Sequence, residues 1–417
     1  MSKTHTPPKP PLSAKKGAVH NWTNYQKNDG NNAVIPGSES YMWTFSPHAR
    51  INGSLAVVDQ SVYVDALNKK LYALDITTGK PRWVARGQGV LMSTPIVYHG
   101  LVFVGTGTNN VMEDKGPITI WGRAKGDYVD AFRTDNGKLV WAFHTVGEDM
   151  PTPAVVDGLL IFGNGDMHAY ALDHSTGRLV WRIRIPGVTT MSATATAPNE
   201  AIVIASHGLD YVFSKKASHV LALDPRDGHV RWSAIHGDSD CSPTRYKSIV
   251  VCEGTIYEWY GYSQLGLMGK NDIDAYDTTT GRQIWRWVSR IGYFTSVGSN
   301  ERGIAGMAQN GILYQSVPTR DEMLAIRMSD GHVLWRFHTA GPVKMSPVVF
   351  QSFLIFGDTS GMLYVVNSRD GTIEALRSES RPFTTSSPVI VGRTLVIANF
   401  NRVLAIPLKI LGFPITR

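Results

Sequence analysis

The sequence predicts an all-β fold, an eight-bladed β-propeller of four-stranded antiparallel blades. Three observations predict it. A thirteen-residue phrase recurs along the chain, a hairpin-like segment precedes each copy, and each end of the chain carries strands that cannot complete a blade by themselves. Together they indicate a ring of similar units that the two ends of the chain close.

The recurring phrase is "LYALDITTGKPRW" at residues 71–83. "LYALD" alternates in polarity and predicts a strand, the Asp and Gly predict a tight turn, and the residues up to the tryptophan predict a second strand. We expect the tryptophan to pack between neighbouring blades. Six intact copies end, at intervals of 40 to 58 residues, on Trp83, Trp141, Trp181, Trp232, Trp285 and Trp335. A seventh, more divergent copy has Ala375 in place of the tryptophan.

The segments ahead of each phrase, such as "TPIVYHGLVFVG" at residues 94–105, are two apolar runs around a tight turn and predict a hairpin. Seven complete units fit between residues 55 and 375, and residues 386–408 supply three further strands. Residues 41–45 contain Trp43 in the docking position with no strands before it. We therefore predict that this N-terminal strand completes the last blade and closes the ring. Seven blades is the alternative, if the weakest unit is misread.

Composition bounds the function. The net charge is +7, but Lys3, Lys9, Lys15 and Lys16 supply four of these charges ahead of the repeats. A basic face for nucleic acid is therefore not indicated. We predict a disordered Pro/Lys-rich leader and lead-in at residues 1–36 and a single propeller domain at residues 37–417. No apolar run is long enough for a membrane span, and no signal peptide is recognisable.

The two cysteines lie on opposite arms of one predicted hairpin, with the turn expected at Lys247 and Ser248. Cys241 and Cys252 would then be diagonal neighbours rather than directly opposed. A disulfide in an oxidising compartment and two free thiols both remain open.

The insertions predict where a site lies. In a four-stranded blade, the turns between strands one and two and between strands three and four lie on one face, which we call the turn face. The remaining loops and the crossings between blades lie on the other, the loop face. All the large insertions, residues 105–127, 206–218, 254–272 and 287–303, fall on the loop face, where we predict a ligand site. Trp121 and Trp259 would give it an aromatic collar, unless they only pack the long loops.

Two further groups of residues point to the same face. Sulfur recurs where each innermost strand begins, which predicts a partial ring that contacts the ligand or, as the alternative, ordinary packing. The ring contains Met92, Met150, Met191, Cys241 and Met345. Carboxylates in the crossings are candidate catalytic groups, as general base or metal ligand, with solvated loop acids as the alternative. These are Glu148, Asp149, Asp238 and Asp240.

The repeated phrase resembles the quinoprotein, or PQQ-like, repeat over residues 41–408. "NWTNYQKNDGNN" at residues 21–32 resembles the lead-in of quinoprotein dehydrogenases, and "GTGTNN" at residues 105–110 resembles a loop near their cofactor. The resemblance implies that Asn109 or Asn110 faces calcium and PQQ, with Trp121 nearby and Glu113 as a candidate calcium ligand. It also implies a periplasmic or other extracytoplasmic location after removal of a leader.

The sequence departs from the alcohol dehydrogenases of that family, because it has no adjacent Cys-Cys pair of the kind they place against the quinone. Similar propellers include a cofactor-independent enzyme, tetrathionate hydrolase, and a scaffold, the outer-membrane protein-assembly lipoprotein. We therefore predict a small-molecule ligand at the loop face and an enzyme, either an oxidoreductase or a hydrolase. PQQ and calcium remain open as cofactors. A non-catalytic scaffold that binds a protein partner is the alternative.

Overall fold

The computed structural model describes residues 21–28, 30–91, 93–107, 127–147, 152–189, 195–196, 202–206, 218–237, 241–258, 268–293 and 305–413. These residues form an all-β structure, as predicted, in which the helical elements are two short 3-10 segments, Pro318–Arg320 and Leu408–Leu411. In this part of the chain no helix has the length and apolar character that a membrane crossing requires.

Seven sheets of the ring are antiparallel and are built from four consecutive strands each, with short extra strands at Val90–Leu91 and Gly292–Tyr293. We number these blades in chain order. Blade one contains Ala56–Val58, Ser61–Ala66, Lys70–Asp75 and Pro81–Arg86. Blade two contains Ile96–Tyr98, Leu101–Gly107, Tyr128–Arg133 and Leu139–His144. Blade three contains Ala154–Val156, Leu159–Gly163, His168–Asp173 and Leu179–Arg184. Blades four and five contain Ala195–Thr196, Ile202–Ser206, Ser218–Leu223 and Val230–His236; and Thr244–Tyr246, Ile249–Glu258, Met268–Asp277 and Gln283–Val288. Blades six and seven contain Met307–Gln309, Ile312–Val317, Glu322–Arg327 and Val333–His338; and Val348–Phe350, Phe353–Gly357, Met362–Asn367 and Ile373–Ser378.

The eighth sheet joins the two ends of the chain. Its C-terminal strands are Val389–Val391, Thr394–Asn399 and Arg402–Pro407, and Trp43–Phe45 pairs antiparallel with the last of them. Val34–Ile35 adds a parallel strand on the inner side. Closure of the last blade by the N-terminal strand is therefore confirmed. The blade count is seven for sheets of consecutive strands and eight with this joining sheet.

The first strand of each blade is the innermost, because first strands of neighbouring blades contact one another around a central channel. The second strands carry large side chains that are fully buried between sheets, such as Tyr63, Phe103 and Phe162. The phrase alanine pairs across the ladder with the tryptophan of the fourth strand, as Ala131 does with Trp141. A small residue there leaves room for the indole beside it.

Each tryptophan that ends a phrase, together with Trp43, contacts the next blade. Its indole N–H donates to a backbone carbonyl in that blade's turn at 2.7–3.1 Å. The ring also covers the glycine of the turn. At Gly228, for example, φ is +76°, and a Cβ would lie 2.8 Å from the Trp181 ring. Glycine is therefore required twice, for its backbone conformation and for the close approach of the ring.

Candidate functional site

A chain of hydroxyl groups encircles part of the channel on the loop-face side. Its members occupy the same position in different blades, two residues before the innermost strand, and the backbone N–H of one donates to the hydroxyl oxygen of the next. The four bonds measure 2.9 to 3.3 Å and cross five blades. We call this group the hydroxyl belt, in order Ser346, Ser387, Ser54, Thr94 and Thr152. The oxygens of Ser387, Ser54, Thr94 and Thr152 accept these backbone bonds, and a hydroxyl that accepts can still donate its own O–H. Ser346 donates its O–H to the Ala305 carbonyl and Ser54 donates toward the Thr385 carbonyl.

The other end of the channel is crossed by residues 21–28 and 30–35, which we call the strap. Trp22 is fully buried and exchanges two backbone bonds with Val97, of 2.6 and 2.8 Å. Further along, the Thr23 carbonyl accepts from Val155 and the Ala33 carbonyl accepts from Ile390. The strap thus contacts innermost strands on opposite sides of the channel. The predicted boundary between residues 36 and 37 does not coincide with a break in these contacts.

Two buried ionisable residues lie close to the belt. Lys344 is buried two residues before Ser346, at the point where blade seven begins. Asp65 is fully buried at the end of the second strand of blade one, where a Cβ on Gly53 would collide with its carboxyl group. Burial raises the pKa of Asp65 to about 8, so this carboxyl retains its proton near neutral pH. Its collision with any side chain at position 53 explains the glycine there.

Two more carboxylates occupy repeat-equivalent places between blades, one residue before the phrase alanine. Asp130 lies against Gly87 at the junction of blades one and two and accepts the Gln88 N–H at 2.8 Å. Burial raises its pKa to about 6. At the junction of blades four and five, Asp274 is 2.8 Å from Nδ1 of His236, the residue that corresponds to Gly87. The same position therefore serves two different polar arrangements.

The His236 group is the one place in the described residues where three metal-ligating side chains come within 4.8 Å of one another. It contains His236, Asp272 and Asp274, all buried. Arg286 already donates to both oxygens of Asp272, at 2.8 and 2.7 Å, and Gln283 donates to Asp274. Burial raises the pKa of Asp272, with the Arg286 bonds acting against the rise. The guanidinium balances the charge where a metal would, so this group suits a polar bridge between blades better than an ion site.

Most predicted site residues lie outside the described residues. These are Asn109, Asn110, Glu113, Trp121, Glu148, Asp149, Asp238, Asp240, Trp259, Met92, Met150 and Met191, and their roles stay predictions. Met345 is described: it is buried, and its sulfur accepts the Gly357 N–H at 3.3 Å. The described carboxylates do not provide a calcium site at the mouth of the channel, since the group that could hold a metal lies on third and fourth strands.

The sulfur residues form two sets by their distance in sequence from the innermost strand. Met92, Met150 and Met191 come four residues before their innermost strands, whereas Cys241 and Met345 come three residues before theirs. Cys241 forms a disulfide with Cys252 across the hairpin, with Cα atoms 5.2 Å apart. The turn at Lys247 and Ser248 is confirmed, and Cys241 lies ahead of the first paired residue of the hairpin, Thr244.

Sequence reasoning missed the strap, the belt and Asp65. A signal for the belt was present, because Ser-Pro or Thr-Pro recurs ahead of most innermost strands, but these pairs also mark ordinary turns. Asp65 gave a weaker signal, as a single acid inside the otherwise apolar strand "SVYVDA". His236 and Asp274 are 38 residues apart, and only the blade register brings them together.

Comparison with known proteins adds to this geometry. A family model described as outer membrane protein assembly factor BamB matches residues 32–114, 125–256 and 269–409. The chain is 27% identical to a tetrathionate hydrolase of Acidithiobacillus ferrooxidans over 85% of this chain and 72% of that protein. It is 24% identical to the assembly factor BamB of Yersinia pestis over 64% of each.

Among solved structures, quinohemoprotein alcohol dehydrogenase from Comamonas testosteroni matches 94% of this chain and 81% of that chain, with a TM-score of 0.68 and 13% identity. That likeness concerns the fold alone. The family match covers most of the chain, with both the belt and the closing sheet inside it. The chain therefore belongs to the PQQ-like propeller family whose model is described as outer membrane protein assembly factor BamB.

Proposed function

We propose that the protein is a cofactor-independent hydrolase that acts at the loop face on an anion of the tetrathionate class, a short sulfur chain with a sulfonate at each end. The similarity to a tetrathionate hydrolase over 85% of this chain motivates the substrate class. The hydroxyl belt together with buried Lys344 supports it most directly. Hydroxyl and ammonium groups donate hydrogen bonds, and sulfonate oxygens only accept them.

Hydrolysis of such a chain adds one water across a sulfur–sulfur bond next to a sulfonate. It releases sulfate, a proton and a shorter sulfane sulfonate, and it consumes no oxidant or reductant. The reaction needs a group that handles protons. Glu148, Asp149, Asp238 and Asp240 remain the predicted catalytic acids and bases at the mouth. Asp65, buried against Gly53 next to the belt residue Ser54 and with a raised pKa, is a further candidate proton donor.

The test uses the purified full chain and tetrathionate, with loss of tetrathionate and release of sulfate and acid as readouts. Lys344→Gln should lower turnover at least about tenfold, since a hydrogen bond to a charged group contributes about 1.5 to 3 kcal/mol. Lys247→Gln, in a turn-face hairpin, is the matched control and should leave turnover unchanged. Melting temperatures of both variants would separate a binding defect from unfolding. Absence of turnover in the wild type, with dye reduction by alcohols once PQQ and calcium are added, would contradict the hydrolase.

A protein-binding scaffold is the second candidate, and the outermost strands favour it. Among the described residues these strands pair with no strand on their outer side. They expose apolar side chains at similar positions, 38 to 51% accessible, namely Val84, Val140, Val180, Leu334 and Leu376. Exposed edges and apolar residues of this kind suit a partner strand or helix. A defined partner whose binding survives Lys344→Gln but is lost in Val84→Asp, in a protein without turnover, would support the scaffold.

A further inference from the structure

The strap begins and ends on the turn face. At its start, Asn21 accepts the N–H of His99, which lies in the first turn of blade two. At its end, the Ile35 carbonyl accepts the N–H of Gly392, in the corresponding turn of blade eight. Between these points it binds innermost strands of several blades. The strap therefore closes the channel at the turn face.

The middle of the strap is fixed by side chains as well as by backbone. Asn31 is buried and donates to Thr244 Oγ1 at 3.0 Å and to the Gly306 carbonyl at 3.1 Å, in blades five and six. Asn32 exchanges two bonds with Val349 of blade seven. Such contacts to three consecutive blades leave the strap few alternative positions.

Tyr25 is the strap residue whose hydroxyl reaches the belt. The strap bonds the second residue of innermost strands, as at Val97 and Ile390. The Tyr25 hydroxyl lies 2.7 Å from that of Ser387, three residues nearer the loop face than Ile390, and 3.5 Å from that of Ser54. Three strand residues span about 10 Å. The ring therefore points along the channel toward the loop face.

The hydrogen bonds around Tyr25 leave it a donor. Ser387 Oγ already accepts the Ser346 N–H at 2.9 Å, so its own O–H is free to donate to the Tyr25 oxygen. Tyr25 then keeps its phenolic proton for a further acceptor. Tyr25 is partly exposed, whereas its neighbours Asn24 and Gln26 are buried. The exposed side of the ring is where a ligand can contact it.

We propose that the strap makes the channel a blind pocket and that the Tyr25 hydroxyl, at its floor and oriented by Ser387, binds the anionic end of the ligand. The identity of the ligand rests on the proposed function, but closure by the strap does not. Tyr25 is a binding residue here. Its loss should affect affinity more than the chemical step.

Tyr25→Phe removes the hydroxyl and keeps the ring. We expect the dissociation constant for tetrathionate, measured by titration calorimetry, to rise about tenfold or more, as for a lost bond to a charged group. KM should rise with it, while kcat and the melting temperature stay close to wild type. Tyr246→Phe, next to the turn of the blade-five hairpin, is the matched control and should change none of these values. Unchanged affinity in Tyr25→Phe, with a wild type that binds tetrathionate, would overturn the role of Tyr25.

Hydrogen exchange tests closure without any ligand. The amides of Trp22, Val97, Val155 and Ile390 bond between strap and wall, so they should be protected as strongly as the blade ladders. Rapid exchange of the Trp22 amide in a folded protein would overturn the blind pocket. A wild type that neither binds nor hydrolyses tetrathionate, but keeps this protection, would count against the proposed function and leave the closure standing.

Discussion

Seven junctions between blades carry a docked tryptophan, and the junction of blades seven and eight does not. At the seven, an indole donates to the next blade's turn and covers its glycine, as Trp335 does with Ser368 and Gly371. At the eighth, Ala375 stands in that place. The chain leaves blade eight through Leu408–Leu411, so no phrase turn exists there to receive an indole.

The C-terminal segment fills the space instead. A Cβ on Gly412 would lie 3.6 Å from the Ala375 Cβ, in ordinary contact. The Phe413 ring packs edge-on against Phe353, with ring centroids 4.6 Å apart. The tryptophan of one blade and the turn glycine of the next therefore form a single contact. At the junction of blades seven and eight both residues are absent. The worn seventh phrase reflects the end of the ring rather than drift.

The largest effect should come from removing the strap and the tryptophan that the other end of the chain supplies. Deletion of residues 1–46 eliminates Trp43 and leaves the edge of the Arg402–Pro407 strand unpaired. It also removes the strap from the channel. We expect aggregation or loss of cooperative unfolding. Deletion of residues 1–20 is the control and should leave the melting temperature unchanged. A well-folded monomer from the longer deletion would contradict the role of closure.

Truncation of a docked indole should come next. Trp181→Ala and Trp285→Ala should each lower the free energy of unfolding by about 3 to 5 kcal/mol, because both rings are buried and both donate to a neighbouring blade. Chemical denaturation would measure this.

A double-mutant cycle sharpens the same point. Gly281→Ala should be destabilising, since a Cβ would lie 2.6 Å from the Trp232 ring at a φ of +69°. The cost should fall in a Trp232→Ala background, where only the backbone strain remains. Strictly additive costs would mean that the ring and the glycine are not coupled.

The smallest effect should come from restoring the missing tryptophan. Ala375→Trp should destabilise by about 1 to 3 kcal/mol, because the C-terminal segment already occupies the space that an indole would need. Thermal and denaturant unfolding would both measure it. A stabilised Ala375→Trp protein would show that the junction had room for the ring and that its loss was drift.

Much of the fold could be predicted from the sequence because the strands and turns of each blade repeat along the chain. The phrase, its turn and the closing strand at Trp43 each follow from a short local pattern, and each is repeated or conspicuously incomplete. The strap was not readable as structure. Its polar residues 21–32 have no strand periodicity, and its partners belong to blades that are far away in sequence.

The site was less predictable than the fold for a physical reason. The belt depends on one hydroxyl per blade, and its bonds run between residues such as Ser387 and Ser54 that lie 333 positions apart. The sulfur residues are similar in type, but Met345 and Cys241 come three residues before their innermost strands in sequence and the other three come four before theirs, and the ring stays a prediction. Similar residues in a repeat share a position only when the register agrees.

The joining sheet also determines when the newly made chain can finish folding. Trp43–Phe45 pairs with Arg402–Pro407, so this early strand has no partner until the far end of the propeller has been made. The strap has the same dependence on Ile390 and Gly392. Contacts that span nearly the whole chain form slowly, and the N-terminal strand edge stays exposed meanwhile. Synthesis of the final blade should therefore be the step at which the growing chain commits to the folded state.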